Sequence, residues 1–227
     1  MPIVGHDGRV LPTANARRWS RRLTQLAAGL GLYGFSMALL VRSSLGVMPW
    51  DVLHQGVALH LGVSLGTTTV LVGLAVLVAW IPLHQRPGIG TVSNVVVIGF
   101  AVNAALAVLP SPSAVAGRLL FVGAGIVLNA VATAAYIGVH LGPGPRDGLM
   151  TGLVRRTGGS VRLVRTTIEV TVVGAGALLG GTLGIGTVVY ALAIGPLVHV
   201  FLPRLAVPGP ARTATGGRVP SSVRTGT

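Results

Sequence analysis

The sequence predicts an all-α polytopic membrane protein: six transmembrane helices arranged as two inverted three-helix repeats, each with a short extra helix after its first span. Three observations predict this fold class. Of the 227 residues, 51% are apolar and only 9% are charged, against roughly 25% charged in a soluble globular domain. Six apolar runs approach the ~20 residues that carry a helix across the hydrocarbon core. The stretch LGVMPWDVLHQG at 45–56 also recurs as LGPGPRDGLMTG at 141–152.

Residues 1–22 are a polar, arginine-rich N-terminus that ends in RRWSRR. The apolar run 23–41 is span-length and ends in LLVRSSLG, so it reads as a retained first helix and not as a cleaved leader. Next comes MPWD. Pro49 suits a first helical position, and Asp51 puts a carboxylate in the first turn, where it complements the helix dipole. A short helix is therefore predicted from Pro49 to about 60, stopping near Gly62. It is too short to span; it either lies in the interface or re-enters as a half-helix packed in protein. Runs at 64–83 and 89–109 complete the first membrane repeat, 23–110. Runs at 118–140, 163–181 and 184–202 make up the second, 117–203, with a copy of the short helix from Pro145 to about Arg156. The run at 163–181 is the most interrupted, since Arg165 and Glu169 fall near its start. Residues 204–227, rich in Pro, Gly, Ser, Thr and Arg, have little to bury and predict a disordered cytoplasmic tail.

The duplication rests on a gapless offset of 96 residues (147 − 51). At that offset Leu45, Gly46, Pro49, Asp51, Leu53 and Gly56 meet Leu141, Gly142, Pro145, Asp147, Leu149 and Gly152, and GIGTV at 88–92 meets GIGTV at 184–188. Close to a third of the 59 aligned positions are identical. Three spans per half is an odd number, so the second half enters from the opposite side. Inverted repeats of this kind recur in secondary transporters. This places Asp51 at the outer face and Asp147 at the inner.

Arginine placement orients the chain. With the N-terminus inside, 15 of the 17 arginines lie in inner segments and only Arg42 and Arg118 lie outside, as the positive-inside rule requires. Both termini are then cytoplasmic. A net charge of +13 would suit nucleic acid, but these charges sit in gaps between apolar runs and form no basic face, so no nucleic-acid partner is expected. Trp19, Trp50 and Trp80 fall near span ends, where an indole suits the interface.

Little in the chain suggests chemistry. There is no cysteine and there are only four acids, and no HExxH, GxSxG or GxxxxGK motif occurs. No enzyme, cofactor or metal is expected. His54 and His60 are spaced onto different helix faces and read as surface histidines.

The candidate substrate or gating residues are Pro49, Trp50, Asp51, Pro145, Arg146, Asp147, Glu169, Asn103 and His199. For the aspartates, helix capping competes with a role beside a central solute site. For Glu169, a neutralising i, i+4 pair with Arg165 competes with a proton or cation relay. Asn103 and His199 occupy equivalent positions, where bonding to a neighbouring helix competes with lining a site. Arginine near the inner motif leans toward an anionic solute, although positive-inside placement also accounts for it.

At LGVMPWDVLHQG, GIGT and the echo LGPGPRDGLMTG, the chain resembles the YczE/YyaS/YitT family of bacterial integral membrane proteins over about 23–202. The resemblance implies a bacterial cytoplasmic-membrane location and no established activity. Two function classes stay open: a secondary-transporter-like carrier of a small solute, and a non-transporting scaffold or regulator acting through its arginine-rich inner loop and tails.

Overall fold

The computed structural model describes residues 3–4, 10–11 and 14–207. Two short strands, β1 (Ile3–Val4) and β2 (Val10–Leu11), pair antiparallel. The rest is helical: α1 (Ala14–Ser43), α2 (Pro49–Leu61), α3 (Leu65–Trp80), α4 (Ile89–Val108), α5 (Val115–Ile137), α6 (Pro145–Thr157), α7 (Val161–Leu178) and α8 (Ile185–Leu205). The first helix starts well before residue 23, because ANARRW offers no breaker and contains good helix formers. The tail expected at 204–227 begins later, because α8 runs to Leu205 and Val207 is buried with its amide donating to the Gly138 carbonyl at 2.9 Å; the rest of it, 208–227, lies outside the described residues.

Four helical segments are long and apolar enough to cross a membrane: Trp19–Ser43, Ile89–Val108, Val115–Ile137 and Ile185–Leu205. A fifth crossing arises if α2 and α3, bent by 110° at their junction, count as one span. The run expected at 64–83 is shorter than read from sequence. Ser64 caps α3, accepting from the Thr67 amide at 3.2 Å, and the helix stops after 16 residues at Trp80. Arg162, Arg165 and Glu169 lie in the 18-residue α7. Large apolar side chains such as Phe100, Leu120, Leu178 and Leu192 point outward and are 69–91% exposed, as suits a surface in contact with lipid.

The two halves match element for element at the 96-residue offset, with α2 paired to α6, α3 to α7 and α4 to α8. Their backbone turns match as well. Ser44 and His140 take φ of 55° and 53°, and Gly46 and Gly142 take 121° and 127°. Only glycine adopts the latter conformation readily. A Cβ at Gly46 would also press on Thr187, and one at Gly142 on Thr91.

Contacts between the halves are reciprocal. The Gly90 amide donates to the Leu141 carbonyl at 2.8 Å, and the Gly186 amide donates to the Leu45 carbonyl at 2.8 Å. Each half thus ties the start of its last helix to the loop before the other half's short helix. α1 and α5 pack antiparallel along their length. Gly29 faces Ala132 and Ala135, Ser36 bonds Asn129 at 2.9 Å, and Leu40 packs on Gly125. The main apolar core lies along this pair, around Leu30, Met37, Leu40, Ile126 and Ala130, with α4 and α8 on its flanks.

Candidate functional site

A cavity of about 450 Å³ opens between the halves. Its size falls in the ordinary range of small-ligand sites. The N-terminal ends of α2 and α6 reach it through Met48–Trp50 and Gly144–Asp147. Proline at the first helical position starts each helix. The α6 start is held from outside: Trp80 Nε1 donates to the Pro145 carbonyl at 3.0 Å, and Thr91 Oγ1 donates to the Pro143 carbonyl at 2.7 Å.

Trp50 and Arg146, equivalent positions of the two repeats, meet in the middle. The guanidinium carbon lies 4.9 Å from the indole centroid, within the range of a cation–π contact. Arg146 Nη2 is also 3.7 Å from Asp51 Oδ1. Asp51 is 0% exposed; the same oxygen faces His54 Nδ1 at 3.0 Å, and Oδ2 has no hydrogen-bond partner. His54 in turn lies 3.4 Å from Thr69 Oγ1. On the other side Tyr136 donates its hydroxyl to Asp147 Oδ2 at 3.0 Å. Tyr190 donates to Asn129 Oδ1 at 2.7 Å, while the Asn129 amide donates to Ser36.

Of the residues singled out from sequence, Pro49, Trp50, Pro145, Arg146, Asp147, Glu169 and His199 line the cavity. Asp51 is enclosed beside it. Asn103 is engaged elsewhere, accepting from the Gly66 amide at 2.9 Å and donating to Ser64 Oγ at 2.8 Å, where it closes the start of α3. Glu169 carries the local pair with Arg165, Nε to Oε1 3.1 Å. Gly73, its repeat equivalent, lines the cavity too.

The positive-φ turns after α1 and α5 bring both helix starts to the cavity, so that Arg146 reaches Asp51. Three expectations are corrected. Asp51 makes no capping bond to the start of α2; its carboxylate serves His54 and Arg146. His54 is no surface histidine but is 2% exposed, because the inward face of α2 carries it against α3. Trp50 and Trp80 do not sit in an interfacial belt; both are buried in protein contacts.

Sequence reading passed over Tyr33, Tyr136 and Tyr190. A signal was available, since the chain has only three tyrosines, all within apolar runs, and all three line the cavity. Among the described residues, no cluster of three His, Asp or Glu side chains could hold a metal.

A family of unknown function, DUF6198, matches residues 20–203. The chain belongs to that family. An uncharacterized protein of Haemophilus influenzae is 40% identical over 182 residues, covering 80% of this chain and 84% of its own. Among Bacillus subtilis relatives, the uncharacterized membrane protein YczE is 33% identical over 186 residues, covering 81% and 86%. YyaS is 25% identical over 182 residues, covering 77% and 89%. The resemblance read from the repeated motif therefore holds for YczE and YyaS. No solved structure matches the chain. With a membrane-protein relative and at least four membrane-length helices, this DUF6198 member is a multi-pass integral membrane protein.

Proposed function

We propose that the protein is a secondary-transporter-like carrier of a small solute in the bacterial cytoplasmic membrane. In this reading six spans form two inverted repeats, both termini are cytoplasmic, and access to the central cavity alternates between the two sides. Neither enzymatic chemistry, a cofactor nor nucleic acid enters.

One observation carries the reading: the cavity is built from equivalent positions of both halves. Trp50 stands opposite Arg146, Pro49 has Pro145 as its counterpart, and Ile98 on α4 has Ile194 on α8. The antiparallel α1–α5 pair and the reciprocal Gly90–Leu141 and Gly186–Leu45 bonds lend further support. Rocking one half against the other exposes such a site to alternate sides.

The test is uptake and efflux profiling of metabolite mixtures in proteoliposomes, with Asp147→Asn as the matched control. A carrier gives protein-dependent flux of at least one solute class, reduced about tenfold or more in Asp147→Asn, while the variant still inserts and stays monodisperse. The competing class, a scaffold, gives no flux. Its cellular phenotype depends on the Arg155–Arg156 segment or the tail and not on Asp147.

A further inference from the structure

The Arg146 side chain has more donors than it uses. Guanidinium offers five N–H groups in a rigid fork. Among the described residues, however, Arg146 has one ion-pair partner, Asp51 Oδ1 at 3.7 Å, which is beyond hydrogen-bond reach. Its side chain is 30% exposed, and it lines the cavity while one face stacks on Trp50. Those N–H groups are accessible from the cavity and can be offered to a ligand.

We propose that the Arg146 guanidinium, backed by Trp50 at the centre of the cavity, receives the carboxylate of a small, mainly apolar solute. The inference rests on the cavity being the solute site, as proposed above, and adds the chemical class of what enters it. A carboxylate matches the fork bidentately, which no uncharged group does as well. Two 13-residue helices, α2 and α6, present their N-terminal ends to the same space, and helix N-termini favour negative charge.

Nearby acids are already engaged. Glu169 pairs with Arg165 at 3.1 Å, Asp147 Oδ2 accepts from the neutral Tyr136 hydroxyl, and Asp51 is enclosed against His54 and faces Arg146 at 3.7 Å. Arg146 makes no short hydrogen bond to Asp51 and keeps its N–H fork for a ligand; with the Asp51 and Asp147 carboxylates close by, one added negative charge suits the site better than a phosphate dianion. Much of the remaining wall, Val72, Val95, Ile98, Ile168 and Ile194, is apolar. That wall suits a hydrocarbon body and not a fully hydrated inorganic ion.

The experiment is calorimetric titration of the purified full-length protein in detergent, so that it reads binding separately from flux. Hexanoate is the probe, hexanamide and hexylamine are its uncharged and cationic isosteres, and norleucine is its zwitterionic relative. The proposal expects hexanoate or norleucine to bind at millimolar concentration or below, with hexanamide and hexylamine at least about tenfold weaker. Arg146→Lys should weaken binding several-fold, and Arg146→Gln should abolish it. Because Arg146→Gln strands the Asp51 carboxylate, the double variant Asp51→Asn/Arg146→Gln carries the test if the single one does not fold. Norleucine binding tighter than hexanoate, and weakened by Asp147→Asn, identifies a zwitterion as the source of the carboxylate.

Equal binding of hexanamide, preference for hexylamine, no heat from either carboxylate, or full affinity in the double variant would each overturn the proposal. Arg146-dependent carboxylate binding without flux in vesicles removes the carrier and keeps the site. Flux of a cationic solute without carboxylate binding does the reverse.

Discussion

At the scale of single residues, Asp51 and Glu169 separate what a sequence discloses from what it conceals. Glu169 pairs with Arg165 one helical turn away, an interaction that follows from helix geometry alone and was legible in the spacing. Asp51 depends on His54, three residues on, and on Arg146, far along the chain; no local rule connects the last of these. The consequences for stability differ accordingly. Removing one member of a buried charged group leaves the other uncompensated, at about 3 kcal/mol or more. Asp51→Ala should therefore lower the Tm in detergent by roughly 6–12 °C for a chain of this size. Arg146→Gln in the same background should recover part of the loss, since no stranded charge remains. Glu169→Gln, at a pair 56% and 36% exposed, should shift stability by less than about 1 kcal/mol. Thermal unfolding of the four proteins checks all of this, and equal losses at Asp51 and Glu169 would refute the account of the buried cluster.

At the scale of elements, the repeat was legible and its packing was not. Helix starts at Pro49 and Pro145 and the GIGT openings of α4 and α8 were written in the sequence as identical residues at one offset. Besides the Gly90–Leu141 and Gly186–Leu45 bonds, the halves are joined by a pair of contacts between residues that differ. Trp80 on α3 fills the space over Gly148 on α6, where a Cβ would come within 2.0 Å of the indole. On the other side the equivalent of Trp80 is Gly176 on α7, which meets the α2 backbone at Val52–Leu53. Val52 is in turn the equivalent of Gly148. Large and small residues have thus exchanged sides, so comparing the two copies could not reveal either contact. Gly148→Ala should destabilise the protein by about 1–3 kcal/mol through overpacking. Trp80→Leu also destabilises on its own, by opening a cavity and removing the 3.0 Å bond to Pro145. Combined, the two should cost less than their sum, because the smaller side chain makes room for the new methyl. Additive losses in a double-mutant cycle of unfolding free energies would show that the Trp80–Gly148 contact does not join α3 to α6.

At the scale of the whole molecule, the question is whether equivalent loops face opposite sides of the bilayer. The reciprocal contacts group the loops into two sets. Near one end the Thr182 amide donates to Gln55 Oε1 at 2.9 Å, bringing the α7–α8 loop to α2. Near the other, Arg156 Nη1 donates to the Pro82 carbonyl at 2.9 Å, bringing α6 to the α3–α4 loop. Val63 follows α2 directly and so belongs with Thr182, while Thr157 ends α6 and belongs with Arg86. These four positions are exposed, and the chain has no native thiol to confuse labelling. Single-cysteine variants treated in intact cells with a membrane-impermeant maleimide should label at 63 and 182. Positions 86 and 157 should label only after the membrane is opened, because arginine-rich segments stay inside. The grouping follows from the Gln55–Thr182 and Pro82–Arg156 contacts, whereas the assignment of sides follows from the arginines, so the two can fail separately. Labelling of 86 and 157 but not of 63 and 182 would reverse the orientation and leave the inverted repeat intact. Labelling of 63 together with 157 would place equivalent loops on one side, and a cavity shared by two parallel copies would have no symmetry-related route to the opposite face.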